Sequence, residues 1–208
     1  MAAPRMDDQL ESAIMGWRDE GVDTVVSLLE RSEVPNLNEA EQTLCEEFGI
    51  EFFSAPLRDK TVPDIVGPFA RLAHQLADRV AAGKSVAIHC RAGIGRSTTL
   101  AACVMILLGV DGAIALDMIA AARGLEVPET EAQRQWILGF RQACSREGII
   151  FVDKRVSTCR RFSDAGSKAA TRPRALPLIC TNISEISPAG APFLRFDRKI
   201  FNCFSSAT

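Results

Sequence analysis

No tyrosine occurs anywhere in the 208 residues, which excludes regulation through phosphorylation of the chain's own tyrosines. Only two histidines are present, His74 and His89, and the seven cysteines (45, 90, 103, 144, 159, 180 and 203) include no CxxC pair. An odd count at wide spacing argues against a disulfide framework and against a cysteine-based zinc site, so no metal or other cofactor is expected. The longest apolar run, Thr98 to Val110, is broken by Asp111 and is too short to cross a bilayer. The N-terminus carries Arg5, then Asp7, Asp8 and Glu11, with no basic-then-apolar leader. A net charge of −2 argues against coating nucleic acid. The expectation is a cytoplasmic protein with no integral membrane segment, whose cysteines are mostly small buried hydrophobes.

Hydrophobic residues at 47% and charged residues at 24% suffice for a core of ordinary size. The charge is unevenly divided. Residues 150–208 hold ten Lys/Arg and four Asp/Glu, a net of +6, which leaves 1–149 at −8. The last segment also carries four of the ten prolines and runs such as Ser163-Asp164-Ala165-Gly166-Ser167. This division predicts a compact domain over 1–149 and a basic, irregular extension over 150–208. Its charge suits loose contact with the acidic domain or with an acidic partner, and no partner is assigned to it.

Helical and strand patterns alternate within 1–149. Gln9 to Glu20 has an apolar face at 10, 13, 14 and 17 and stops at Gly21. Asp23 to Leu29 reads as a strand. Asn38 is expected to cap a helix that runs to Phe48, with Gly49 as its stop. Ile50 to Phe53 is a short strand, followed by a loop with Pro56 and Pro63. Asp64 to Ala82 forms the longest amphipathic helix, with Asp64 as its expected cap and Gly83 as its end. Lys84 to His89 is an apolar strand, followed by a glycine-bearing turn and a very apolar helix from Ser97 to Leu108. Two more helices are expected near 112–122 and 130–147. Strands separated by helices imply an α/β fold with a mostly parallel sheet covered on both faces.

The turn after that strand, Cys90-Arg91-Ala92-Gly93-Ile94-Gly95-Arg96-Ser97, holds the chemistry. Gly93 and Gly95 can take φ > 0 and turn successive N–H groups into one concavity. A helix starting at Ser97 adds its unpaired N-terminal N–H groups and the positive end of its dipole. Arg96 supplies a planar fork matched to two phosphate oxygens. The cradle suits a phosphate dianion, and it equally suits a thiolate. Cys90 is therefore expected to be an exposed thiol of depressed pKa and a strong nucleophile.

His89, Cys90, Arg96 and Ser97 match the pattern His-Cys-x5-Arg-Ser/Thr, and the stretch resembles the signature loop of the cysteine-based protein tyrosine and dual-specificity phosphatases. The resemblance covers roughly residues 8 to 147. It implies a dual-specificity-phosphatase-like fold in which Cys90 forms a cysteinyl-phosphate and Arg96 holds the equatorial oxygens. It further implies that Arg91, Ala92, Gly93, Ile94 and Gly95 line the substrate phosphate and that the Ser97 hydroxyl stabilises the departing Cys90 thiolate. Family members carry a general acid roughly thirty residues before the cysteine. Asp59, in Ala55-Pro56-Leu57-Arg58-Asp59-Lys60-Thr61, resembles that acid, with Asp64 as the nearest competitor. Gln133 resembles a family position that can order the hydrolytic water, a solvated helix position being its alternative. Family domains begin with a strand or two before the first helix, whereas here a helix comes almost at once. One sheet edge is therefore expected to be missing, unless an apolar piece of the extension such as Leu176–Cys180 supplies it.

The activity expected from this resemblance is metal-independent hydrolysis of phosphotyrosine, with phosphoserine and phosphothreonine as further targets, on a phosphorylated protein substrate. The alternatives are a phosphoinositide or small-metabolite phosphatase, an inactive phosphate-binding module, or a rhodanese-like sulfur carrier. Lysines in the loop would suit highly charged lipid headgroups, and it has none. His89 is expected to be a buried hydrogen-bonding partner beside Cys90. Arg58 and Arg91 are placed at the pocket mouth or simply on the surface. His74, Trp17, Trp136 and Cys103 are read as packing residues on helices.

Overall fold

Three runs of β-branched and apolar residues form the strands β1 (Thr24–Ser27), β2 (Glu51–Ser54) and β3 (Val86–His89). They pair in parallel in the order β2-β1-β3, with Val25 opposite Phe52 and Ala87, and Val26 opposite Phe53 and Ile88. Parallel pairing requires crossovers, supplied by α2 (Leu37–Glu47) between β1 and β2 and by α3 (Val66–Ala81) between β2 and β3. α1 (Leu10–Asp19) precedes the sheet, and α4 (Arg96–Leu107), α5 (Gly112–Arg123) and α6 (Glu131–Arg146) follow it. The computed structural model describes residues 1–5 and 9–148, so the basic extension over 150–208 lies outside the described residues.

Successive strand residues face opposite sides, and the sheet divides the core accordingly. Val25 and Ala87 pack with Leu10, Ile14 and Trp17 of α1 and with Leu37 and Cys45 of α2. Val26, Val86 and Ile88 pack on the other side with α3, α4, α5 and α6. The α/β architecture with helices on both faces is the one expected. α4 sits deepest, with every residue from Arg96 to Ile106 buried, and this explains why its sequence is apolar nearly all round. No helix among the described residues is long and apolar enough to cross a membrane.

Local signals are kept in most places. Gly21, Gly49 and Gly83, the expected helix stops, have φ of 76°, 72° and 87°. Asp111 caps α5 by accepting from the N–H groups of Ala113 and Ile114. Two caps fall elsewhere than expected. Asn38 lies inside α2, and the N-cap is Asn36 with φ 64°. The Asn38 side chain instead accepts from the Ser27 hydroxyl at 2.8 Å and donates to Leu29 O at 3.3 Å, tying α2 to the end of β1. Asp64 does not cap α3 either, because the helix begins at Val66 behind Ile65, which has no side-chain cap bond. The long-range demand of Asn38 overrides its capping preference, and Asp64 stands one residue too early.

The sheet edge expected to be short of a strand is met in part by the first residues. Ala2 makes a single parallel bridge to Cys90. The Cys90 N–H donates to Met1 O at 3.2 Å, and the Ala3 N–H donates to Arg91 O at 3.3 Å. The edge is thus closed at the level of the glycine-bearing turn, where backbone groups need partners most.

Phe140 of α6 is fully buried, with its ring 5.4 Å from that of Trp136. Phe140→Ala should cost about 3–5 kcal/mol of unfolding free energy, read by denaturant titration. A loss below about 1 kcal/mol would show that the α3–α6 face is loosely packed.

Candidate active site

In an open parallel sheet the loops leaving the carboxyl ends of the strands gather along one edge. Here the loop after β3 brings Cys90 and Arg96, the loop after β1 brings Glu33, and the loop after β2 brings Asp59. β1 is the central strand, so Glu33 stands between the other two. Three segments distant in sequence meet for that topological reason.

The loop from Cys90 to Gly95 needs its glycines for two different reasons. Gly93 has φ 71°, and a Cβ there would run into the backbone of Met1 and Ala2. Gly95 has φ −89°, so the left-handed conformation expected of both glycines is confined to Gly93. At Gly95 the constraint is space, since a Cβ would stand 2.8 Å from both the side-chain oxygen and nitrogen of Gln133. As the N-cap of α4, Gly95 also has no side chain to occupy the helix's first N–H groups. Arg123 of α5 braces the outer side of the loop by donating to Gly93 O at 2.7 Å. Burial lowers its guanidinium pKa, and the Cys90 charge partly restores it.

Cys90 lies at the floor of this loop with 2% of its surface exposed, so the expectation of an exposed thiol is corrected to a buried one. Its Sγ is 3.5 Å from the Ser97 hydroxyl, within reach of a sulfur hydrogen bond. A thiolate in that place accepts from Ser97.

Arg96 is 1% exposed, and its partners divide its nitrogens. Nη1 donates to Leu28 O at 3.3 Å, Leu57 O at 2.9 Å and Glu33 Oε1 at 2.5 Å. Nη2 meets Glu33 Oε2 at 2.8 Å and Asp59 Oδ1 at 2.9 Å. Nε has no hydrogen-bond partner. Burial works against the charge. It is outweighed by the Glu33 hydrogen bond and by the charges of Cys90, Glu33 and Asp59, which lift the guanidinium above its ordinary value. The Arg96 hydrogen bond in turn holds the Glu33 carboxyl below the usual carboxylate range. The brace is therefore complete above that range and is lost only as pH falls through the depressed value.

Asp59 is half exposed, on a turn that Thr61 closes through its N–H at 3.3 Å and its hydroxyl at 2.8 Å, both to Arg58 O. Asp64, its competitor, is exposed. Gln133 is fully buried rather than solvated, and its side chain faces Gly95. Arg91, Ala92 and Arg58 are exposed, and Ile94 is half-buried. Ile94 also edges a cleft of about 420 Å³ walled by Glu126, Pro128, Glu129, Thr130, Glu131 and Arg134.

Behind Cys90, His89 Nε2 lies 2.8 Å from Glu41 Oε1, and both side chains are fully buried. His89 is buried as expected, but it faces the Glu41 carboxylate on α2 and neither of its nitrogens makes a hydrogen bond. Burial, then the Glu41 charge, pushes the Cys45 thiol up to about 12. Trp17 packs 6.3 Å from the His89 ring, and Trp136 packs edge-on against Phe69. His74 pairs with Asp78 on the surface of α3. Cys103 is fully buried with its thiol pushed well up by burial, as befits a core residue. Glu33, Glu41 and Arg123 were not foreseen. Glu33 alone had a readable signal, an acidic residue just past the carboxyl end of an apolar strand.

Comparison with known proteins bears on the fold and the family. The family model described as "Polymorphic toxin system, DSP-PTPase phosphatase" matches residues 1–110. Curated proteins named cyclin-dependent kinase inhibitor 3 are similar over 115 residues, at 30% identity in Rattus norvegicus and 31% in Mus musculus. These matches cover 54% of this chain and 52% of each relative, so the chain spans about half the length of the curated relatives it matches. Among solved structures, Tk-PTP in its active form is 29% identical with a TM-score of 0.53, covering 68% of this chain and 88% of that one. Kinase associated phosphatase shares the fold at a TM-score of 0.59 and 21% identity, over 65% of this chain and 77% of that one. The structure of PTPMT1 in complex with PI(5)P shares it at a TM-score of 0.55 and 20% identity, over 70% and 91%. The chain belongs to the dual-specificity and protein tyrosine phosphatase family.

Proposed function

We propose that this chain hydrolyses phosphate monoesters on proteins, chiefly phosphotyrosine, through a cysteinyl-phosphate on Cys90. The observation that carries this reading is the state of Arg96. Its two terminal nitrogens are pinned by Glu33, Asp59 and two carbonyls, while its Nε is buried without a partner beside the Cys90 loop. A buried, unsatisfied, charged donor is costly unless a ligand completes it, and a phosphate oxygen does so.

The chemistry then follows in two displacements. The Cys90 thiolate attacks phosphorus, the P–S bond forms, and the P–O bond to the leaving group breaks as Asp59 gives that oxygen a proton. Water next attacks the cysteinyl-phosphate, Asp59 takes a proton from it, and the P–S bond breaks to release phosphate. Ser97, 3.5 Å from Sγ, stabilises the thiolate released at that step. The loop backbone over 91–95, with the first N–H groups of α4, holds the equatorial oxygens. For the substrate phosphate to engage Arg96 fully, it must share Nη2 with Asp59 or displace it.

Protein substrates are favoured over polyphosphorylated lipid headgroups. Glu126, Glu129 and Glu131 outnumber Arg134 in the cleft beside Ile94, with Glu129 also paired to Lys60, so a polyanion there meets a modest excess of like charge. The four described cysteines are free and buried, in keeping with a reducing cytoplasmic setting. We place the catalytic unit in 1–149 and assign no chemistry to 150–208. A chain ending at Gly148 should accordingly retain kcat/KM within about tenfold, a difference of about 1.4 kcal/mol.

Purified protein should hydrolyse p-nitrophenyl phosphate in EDTA. Cys90→Ser should abolish turnover while retaining phosphate binding, and Arg96→Lys should lose both, because an ammonium cannot replace the fork. Asp59→Asn should lower kcat by roughly 10²–10³, with a deficit that shrinks as the leaving group becomes more acidic. Glu33→Gln should lower kcat/KM by roughly tenfold through a looser Arg96. Turnover by Cys90→Ser, or full kcat in Asp59→Asn alongside loss in Asp64→Asn, would contradict the scheme. Preference for a phosphoinositide over a phosphotyrosine peptide would reassign the substrate.

A further inference from the structure

Asp59 has one side-chain anchor, its 2.9 Å contact with Arg96 Nη2, a nitrogen that the substrate phosphate must share or take. Its side chain is half exposed, and it rides on a tight turn whose next residue, Lys60, is a non-glycine at φ 57°. Such a residue persists in the left-handed region only where neighbouring structure holds it there. Two side chains from the segment that opens α6 supply that hold. Lys60 Nζ pairs with Glu129 Oε1 at 3.2 Å, an exposed contact of small weight. The second tie is partly buried: Gln133 Nε2 donates to Thr61 O at 3.2 Å.

Gln133 is well placed for this because its other polar groups are already committed. It is the third residue of α6, and its Oε1 accepts from the Thr130 N–H at 3.2 Å while its own N–H donates to the Thr130 hydroxyl at 3.2 Å. This reciprocal capping box fixes the carboxamide without help from the Cys90 loop. The same carboxamide lies where a Cβ on Gly95 would stand 2.8 Å from both its oxygen and its nitrogen. One rigid amide therefore touches the phosphate-binding loop and the turn that bears Asp59.

We infer that Gln133 is a positioning residue that latches the Asp59 turn against the phosphate-binding loop. This goes beyond the water-ordering role expected of the position, and it rests on the reading of Asp59 as general acid. The latch acts through Asp59, so its loss weakens proton delivery to the leaving group. A water-ordering residue would act only after the leaving group has departed.

The test measures kcat/KM, which reports steps through leaving-group expulsion, on phenyl phosphate and p-nitrophenyl phosphate for the full chain. The variants are Gln133→Met, Gln133→Glu, Asp59→Asn and the double variants. Gln133→Glu retains the acceptor for Thr130 and loses the amide donor to Thr61, so it separates the latch from the helix cap should Gln133→Met fold poorly. Both Gln133 variants should lose about tenfold or more on phenyl phosphate and less on p-nitrophenyl phosphate. Neither should lose further activity in the Asp59→Asn background. A loss that is independent of the leaving group or adds to that of Asp59→Asn overturns the latch. So does an unchanged kcat/KM with a larger burst of p-nitrophenol, which would assign Gln133 to the hydrolytic water. If Asp59→Asn itself shows no dependence on the leaving group, the acid assignment fails, and the latch fails with it.

Discussion

A guanidinium with 1% of its surface exposed needs compensation, and the site is arranged so that both terminal nitrogens receive it while Nε does not. The Arg96 backbone opens α4, the most deeply buried helix, so the charge cannot swing out to water. Glu33 takes both terminal nitrogens from above the central strand, and the carbonyls of Leu28 and Leu57 close the flanks. Asp59 takes what remains of Nη2. Each partner comes from a loop at the carboxyl edge of the sheet, so the order β2-β1-β3 and the charge of Arg96 constrain one another. Moving β1 from the centre would separate Glu33 from the arginine and leave the charge uncompensated.

A second layer of buried polar contacts lies behind the first. The Glu41–His89 pair joins α2 to the residue preceding Cys90, and Arg123 joins α5 to Gly93. Together with the first residues bonded to Cys90 and Arg91, these contacts hold a loop whose own backbone is irregular. Such rigidity serves the phosphate-binding role proposed for this loop. The ion pairs on the surface, Arg18–Asp19 and Lys84–Asp23 among them, have no such task and contribute little.

Much of the site was legible because its decisive elements are local. Cys90, Arg96 and Ser97 lie within one strand–turn–helix whose glycines and boundaries are visible in the sequence itself. Asp59 was singled out by its resemblance to the acid that family members carry roughly thirty residues before the cysteine, and it stands 2.9 Å from Arg96 Nη2, a pairing that was not foreseen. The sheet covered on both faces was readable from the order of strands separated by helices, since the strands themselves are apolar without alternation. What escaped detection depends on contacts made across the chain. Glu33 lies 63 positions from Arg96, and Glu41 and Arg123 are ordinary charged positions on helices until the fold brings them inward. Asn38 failed as a cap for the same reason, since the pull of Ser27 and Leu29 exceeds a local preference. Gln133 was singled out, but its burial and its bond to Thr61 depend on how α6 docks.

The central claim is that Cys90 carries phosphate covalently between two displacements. Rapid acid quench of the protein during turnover of an aryl phosphate, followed by peptide mapping with mass spectrometry, tests it directly. The account predicts a phosphoryl adduct on the peptide containing Cys90, transient in the unaltered protein and accumulating in Asp59→Asn when a good leaving group is used. Turnover with no adduct on Cys90 at any quench time, or an adduct on another residue, would contradict it.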